Sequence, residues 1–276
     1  MTDYLHHERC QPLPYYGGKQ ADGKGKWIAG LLPWRKDSTY VETHGGMMSV
    51  LVTRAAVKTE IYNDLDGRVV NYWAMLREET ERFCTAVEAM PHARAEFEQA
   101  HSTLIDPDAS AYDRALAVQI ILGQSIMASP NCTSWARAKS HRGRATIWQS
   151  ERVRTLVDRI RRVQIECRPA IAILDWMQDN QHAVIYCDPP YHSADTSPYL
   201  HSQEDLGALS KALLAQSGQV AISGYDGEWD HLGWQRHEKN VAFRGFGRDM
   251  AKGAQRRTEV LWTNYDALQL GAAVAQ

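Results

Sequence analysis

The sequence predicts an α/β domain built on a mostly parallel sheet and interrupted by a helical insertion. Three observations carry this reading. Short strand-like runs alternate with helical patterns in residues 1–76 and again in 171–276, as expected of a sheet covered by helices on both faces. Residues 77–170 pattern as helix, with no convincing strand. Charge is also segregated there. Glu78 to Asp108 holds eight acids against Arg82 and Arg94, whereas Trp135 to Arg162 holds nine Arg or Lys against Glu151 and Asp158. Residues 1–76 and 171–276 are therefore read as one domain, and 77–170 as an insertion into it.

The elements follow in order. "STYVETHGG" is a run of β-formers ending in a glycine pair, and "KTEIYND" is a second strand centred on Ile61. "LDGRVVNYWAML" reads as a helix with Val69, Val70, Trp73 and Leu76 on one face. The centre of the basic run, "AKSHRGRAT", reads as a loop, and "AVIYC" as a strand. Ser202 opens "SQED", a capping box with Asp205 at the third helical position. Leu206, Leu209 and Leu213 mark the face of that helix, and Gly218 stops it. "QVAISGY" and "RTEVLWTNY" supply two further strands.

Composition bounds the function. The chain has 276 residues and is 44% hydrophobic, enough for a packed core and too much for global disorder. Its net charge of −2 carries no whole-chain signature of nucleic-acid binding, so charge matters locally. Five scattered cysteines without a Cys-x-x-Cys pair predict reduced thiols in a cytoplasmic setting. His6, His7 and Cys10 lie close together but lack a second ligand pair, so no metal is expected. No apolar run reaches the ~18 residues of a membrane span, and the N-terminus lacks an apolar signal core.

Ligands of open α/β sheets bind outside the carboxyl ends of the strands. The first strand ends at Glu42, followed by Gly45 and Gly46, which let a backbone approach a ligand closely. The second ends in Asn63 and Asp64, a carboxylate suited to sugar hydroxyls. The third ends in Asp188-Pro189-Pro190-Tyr191. Two prolines fix the backbone and remove its donors while leaving its carbonyls. With the Asp188 carboxylate they make an acceptor cluster for an amine. Tyr191 can stack on a planar base, worth ~1–3 kcal/mol. Taken singly, each ending also suits an ordinary turn, a helix cap or a core tyrosine.

Together the motifs resemble a family. "CDPPY" resembles the catalytic motif of amino-methyltransferases acting on adenine N6 in DNA. "PYYGGK" (14–19) resembles the opening motif of the Dam-like (D12 class) DNA adenine methyltransferases. "YVETHGGMMSVL" sits where that family has its glycine-rich motif. "EIYNDLDGRVVNYW", "ISGYD" and "RTEVLW" resemble later segments, in the family's order. Thr43-His44 stands where the family has Pro-Phe, and Met47 replaces a small residue.

The resemblance implies a Rossmann-like S-adenosylmethionine-dependent methyltransferase sheet with a helical inserted target-recognition domain. It implies S-adenosylmethionine as cofactor, held by Tyr15, Tyr16, Gly17, Gly18, Lys19, Glu42, Gly45, Gly46, Asn63 and Asp64. Asp188 would lie beside both the cofactor and the target amine, with Pro189 and Pro190 as acceptors. Tyr191 would stack on a flipped-out adenine. The implied partner is double-stranded DNA, in a bacterial, phage or restriction-modification setting. Arg137, Lys139, Arg142 and Arg144 of the basic loop are the candidates for phosphates and a base edge. Arg152 to Arg162 reads equally well as a basic helix paired with the acidic stretch. Two alternatives stay open: a cytosine-N4 or RNA amino-methyltransferase of the same fold, and a DNA-binding relative without catalysis.

Overall fold

The computed structural model describes residues 13–15, 17–19, 23–137, 150–191, 205–243 and 255–267. Helix α1 (Lys24–Leu31) precedes β1 (Thr39–Glu42), β2 (Thr59–Asn63) and α2 (Gly67–Glu78). Helices α3 (Thr80–Glu88), α4 (Arg94–Ile105), α5 (Ala111–Gln124) and α6 (Ser150–Ile160) follow, then β3 (Gln164–Glu166) and α7 (Ala170–Met177). Strand β4 (Ala183–Cys187), α8 (Leu206–Leu214), β5 (Gln219–Gly224), β6 (Gln235–Phe243) and β7 (Gln255–Thr263) complete the order.

The strands form one seven-stranded sheet, β3-β2-β1-β4-β5-β7-β6. The first five neighbours are parallel, while β7 runs antiparallel between β5 and β6. A parallel strand covered on both faces tends toward a continuous apolar run. Strand β4 is buried along its whole length. Its side chains alternate between two cores. Val184 and Tyr186 join the core under α2, α5 and α6, while Ala183, Ile185 and Cys187 join the one under α7 and α8. Tyr40 and Val41 of β1 divide the same way.

Strand order reverses between β1 and β4. The chain moves outward from β1 through β2 to β3, then returns to place β4 on the other side of β1. Such a switch point opens a crevice at the carboxyl ends of the two strands. The register pairs Glu42 with Tyr186, so β1 and β4 end nearly level. Glu42 and Asp188 therefore flank the crevice.

Three elements differ from the sequence reading. The middle stretch is not purely helical, because β3 pairs with β2 inside it. Three residues are too few to show a period. The second difference is β6, a nine-residue strand rich in charge, "QRHEKNVAF". As an edge strand pairing only with β7 among the described residues, it needs no continuous apolar run. The third is the start of α8. Asp205 is its N-cap, accepting from the amides of Gly207 and Ala208, and not a residue of its first turn. Ser202 lies outside the described residues. The expected α2 face is present: Val69, Trp73 and Leu76 are buried together with Tyr72, and Val70 packs half-buried beside them. Helix α5 packs on α2, and its Tyr112, Ala115, Val118 and Leu122 belong to the same core.

Candidate active site

The crevice is built from four short segments. The first is the turn at Tyr15–Lys19. Gly17 has φ 73°, in the left-handed region, and the Gly18 amide donates to the Tyr15 carbonyl at 3.0 Å. This turn aims Lys19 inward. The Lys19 amide donates to Ser49 Oγ at 3.2 Å, and its carbonyl accepts from the Gly25 amide at the start of α1. Its ammonium donates to Asp188 Oδ1 at 2.5 Å and lies 3.4 Å from Glu259 Oε1. Tyr16 lies outside the described residues.

The second segment follows β1. Glu42 is 2% exposed and accepts from the Tyr40 hydroxyl at 2.8 Å. Burial outweighs this bond and pushes its carboxyl up to about 8. Thr43 Oγ1 and His44 Nδ1 are 2.9 Å apart. Gly45 packs so tightly on the Tyr62 ring that a Cβ there would collide with it. Gly46 has φ 46°, and its carbonyl accepts from both Tyr62 Oη and Trp73 Nε1 at 2.9 Å. These two buried aromatics thus use their polar ends to pin the loop. Met48, at φ 53°, holds a conformation that costs a residue with a Cβ about 1–2 kcal/mol. Such strain concentrates where a loop is shaped for a ligand.

The third segment follows β2. Asn63 is fully buried, and its amide serves the backbone. Nδ2 donates to the carbonyls of Thr43 and Arg168, while Oδ1 accepts from the Arg168 amide. It braces the glycine loop against the end of β3. Asp64 accepts from the Gly46 amide and the Asp66 amide, each at 2.8 Å. Burial raises its carboxyl above the usual range, against the opposing pull of those two donors.

The fourth segment is Asp188-Pro189-Pro190-Tyr191 after β4. Pro189 is buried; the other three are half-buried. The Tyr191 hydroxyl lies 2.6 Å from Glu259 Oε1 and 3.1 Å from Asp188 Oδ1. Its ring meets Tyr225 edge to face at 4.5 Å and carries the Lys19 ammonium 4.8 Å from its centre. Burial draws the Lys19 pKa down, but Asp188 and Glu259 outweigh it and hold it above its ordinary value. Burial pushes Glu259 up, yet Lys19 and Lys24 bring it below the usual carboxylate range.

Lys19 and Asp188 thus meet across 169 residues. The crevice also contains residues that the sequence reading did not select: Glu259, Lys24 and Tyr225. Lys24 Nζ lies 3.7 Å from Glu259 Oε2. The available signal was one acid inside the otherwise apolar run "EVLW".

Of the proposed DNA contacts, Arg137 is exposed, and Lys139, Arg142 and Arg144 lie outside the described residues. The chain leading to them is well anchored. Ser125 bridges Trp135, Arg68 at the start of α2 donates to Asn131, and His92 and His101 reach the carbonyls of Ala136 and Cys132. Through Asn131 this anchoring ties the segment before Arg137 to the start of α2, which follows the carboxyl end of β2. Helix α6 behaves differently. Arg154 forms a bidentate pair with Glu81, Arg159 is buried against Glu60, and Arg161 pairs with Asp158. Of these pairs, Arg154–Glu81 joins the basic stretch to the acidic one. Among the described residues, no group of three His, Cys, Asp or Glu side chains could hold a metal ion, and no helix is long and apolar enough to cross a membrane.

The switch-point sheet, the glycine loop and an acid at the tip of β2 define a Rossmann-like methyltransferase domain. The chain belongs to the D12 class N6 adenine-specific DNA methyltransferases, a family that matches residues 15–211. S-adenosylmethionine is that family's cofactor. Among solved structures, the chain is similar to a SAM-dependent methyltransferase from Agrobacterium tumefaciens, at 9% identity and TM-score 0.40, over 87% of this chain. It spans 61% of that protein's length. It is also similar to an rRNA methyltransferase of Streptomyces viridochromogenes, at 13% identity and TM-score 0.39, over 94% of this chain and 89% of the other. No curated protein matches it.

Proposed function

We propose that this chain is a site-specific DNA methyltransferase that methylates N6 of a flipped-out adenine in duplex DNA. The observation that carries the reading is the convergence of Lys19, Asp188 and Tyr191 beside the glycine loop and Asp64 at one sheet edge. The residues present fit S-adenosylmethionine. The loop closes over Tyr62 where only glycine can stand, and the Asp64 carboxylate meets that loop at the end of β2, where a sugar hydroxyl could reach it. Tyr15, Gly17, Gly18, Gly45, Gly46 and Asp64 would hold it, with Glu42 and Asn63 bracing the loop from beneath. When bound, the cofactor supplies a methyl group on a positively charged sulfur, with a neutral thioether as leaving group.

The chain's own residues do the rest. Lys19 occupies Asp188 Oδ1 and fixes the carboxylate's direction. The other Asp188 oxygen and the Pro189 carbonyl accept from N6–H of the adenine. Those bonds localise the nitrogen lone pair and stabilise the positive charge that grows on it. Tyr191 offers its ring for stacking while its hydroxyl is tied down. Holding amine and methyl donor in line supplies much of the acceleration. The target atom is unreachable inside a duplex, so the base must leave the stack. Residues 77–170 would grip the DNA, with Arg137, Lys139, Arg142 and Arg144 of the basic loop as the candidates for its phosphates.

The test is direct. The protein is incubated with labelled S-adenosylmethionine and mixed-sequence duplex DNA, and the nucleosides are resolved by mass. N6-methyladenine is expected from the unmutated protein and not from Asp188→Ala. N4-methylcytosine instead would reassign the target base. Equal methylation by both proteins would remove Asp188 from the chemistry.

A further inference from the structure

We propose that Glu259 is a positioning residue for methyl transfer: it captures the Tyr191 phenol proton and so keeps the Asp188 carboxylate available to the target amine. This rests on the reading above. A phenol has one proton to donate. Two carboxylates compete for it here, Glu259 at 2.6 Å and Asp188 at 3.1 Å. The shorter contact has the length of a strong charge-assisted bond. The longer one is at the outer limit for O–H···O.

Asp188 already accepts from Lys19 at 2.5 Å. A second donor on the same carboxylate would draw off the electron density that N6–H must use. Glu259 prevents this by taking the phenol. Its own charge is balanced by Lys19 at 3.4 Å and Lys24 at 3.7 Å, so two lysines face two carboxylates. That balance permits an ionised acid whose side chain is only 4% exposed. The fold delivers Glu259 because β7 is antiparallel. Its neighbour Val260 pairs with Gly224 at the carboxyl end of β5, which puts Glu259 at the crevice edge. Glu259 lies beyond the residues matched to the family.

The experiment is a double-mutant cycle on the full chain with Glu259→Gln and Tyr191→Phe. It is read by single-turnover methyl transfer and by calorimetric affinity for S-adenosylhomocysteine. In the wild-type background Glu259→Gln is expected to slow transfer about tenfold or more, without a matching loss of affinity. In the Tyr191→Phe background the same change is expected to cost little, because the proton it handles is gone. Equal losses in both backgrounds would overturn the proposal.

A second readout needs neither cofactor nor DNA. Burial, Asp188 and Glu259 hold the Tyr191 phenol well above its ordinary ionisation range. Ultraviolet titration, taken as the difference from Tyr191→Phe, should show that phenol ionising at lower pH in Glu259→Gln. An unchanged titration would overturn the proposal. If Glu259→Gln does not fold, Glu259→Asp keeps the charge for both lysines but shortens the reach to the phenol. It is expected to be slow, and a wild-type rate would count against the idea. If the unmutated protein methylates no base, the functional reading fails. The titration still decides whether Glu259 holds the phenol.

Discussion

Glu42 sits at the end of β1 with a carboxyl pushed up to about 8, against 4.5 for an ordinary glutamate. Burial is the main cause. The folded state therefore keeps a proton that the unfolded state releases above about 4.5. Stability from this group is fully present below that value and is lost as pH rises toward 8. The difference corresponds to roughly 3–5 kcal/mol across the window. Glu42→Gln should flatten the fall in stability between pH 5 and pH 8, measured by urea unfolding. A mutant that falls as steeply as the wild type would place the titration elsewhere. Legibility at this scale depended on motif density. Lys19 and Asp188 each stand in a recognisable run, so both were selected despite their distance in sequence. Glu259 was not, because one acid in a strand ordinarily reads as a solvent-facing position. Only the sheet order reveals that it faces Asp188.

Helix α6 is held to the sheet by an ion pair that is out of water. Arg159 donates to both oxygens of Glu60 on β2, at 2.6 and 2.7 Å, and to the Leu51 carbonyl at 3.0 Å. Both side chains are under a tenth exposed. Removing one partner strands the other's charge, which costs about 3–5 kcal/mol, whereas an apolar pair can be nearly neutral. Arg159→Met should destabilise by that amount in chemical denaturation, and Arg159→Met with Glu60→Met should recover most of it. A double variant as unstable as the single would mean that packing, not charge, is the cause. The sequence showed a basic run here but not which way each arginine points, since charge counting has no third dimension. The same limit hid β6. Its six consecutive polar residues, Gln235 to Asn240, suit an edge strand, and without a partner in view they resemble a surface loop.

The whole molecule carries a charge of −2 and yet is proposed to bind a polyanion. Arg154 and Arg159 of α6, and Arg161 just beyond it, are engaged in ion pairs within the chain, so the DNA grip should fall on the loop that begins at Arg137. Phosphate contacts release counterions, and each is felt as a change of about one in the slope of log K against log salt. Arg137→Ala should lower that slope by about one in an anisotropy titration, and Arg154→Ala should leave it unchanged. The reverse result would move the contact surface to α6. Fold class and crevice were legible at this scale because buried parallel strands leave apolar runs with their chemistry at one end. Finally, β7 lies between β5 and β6 although it follows both in the chain. A nonsense lesion between β6 and β7 removes an interior strand, opens the edge of β5 and deletes Glu259 together. A chain truncated there loses an interior strand and a crevice acid in one step.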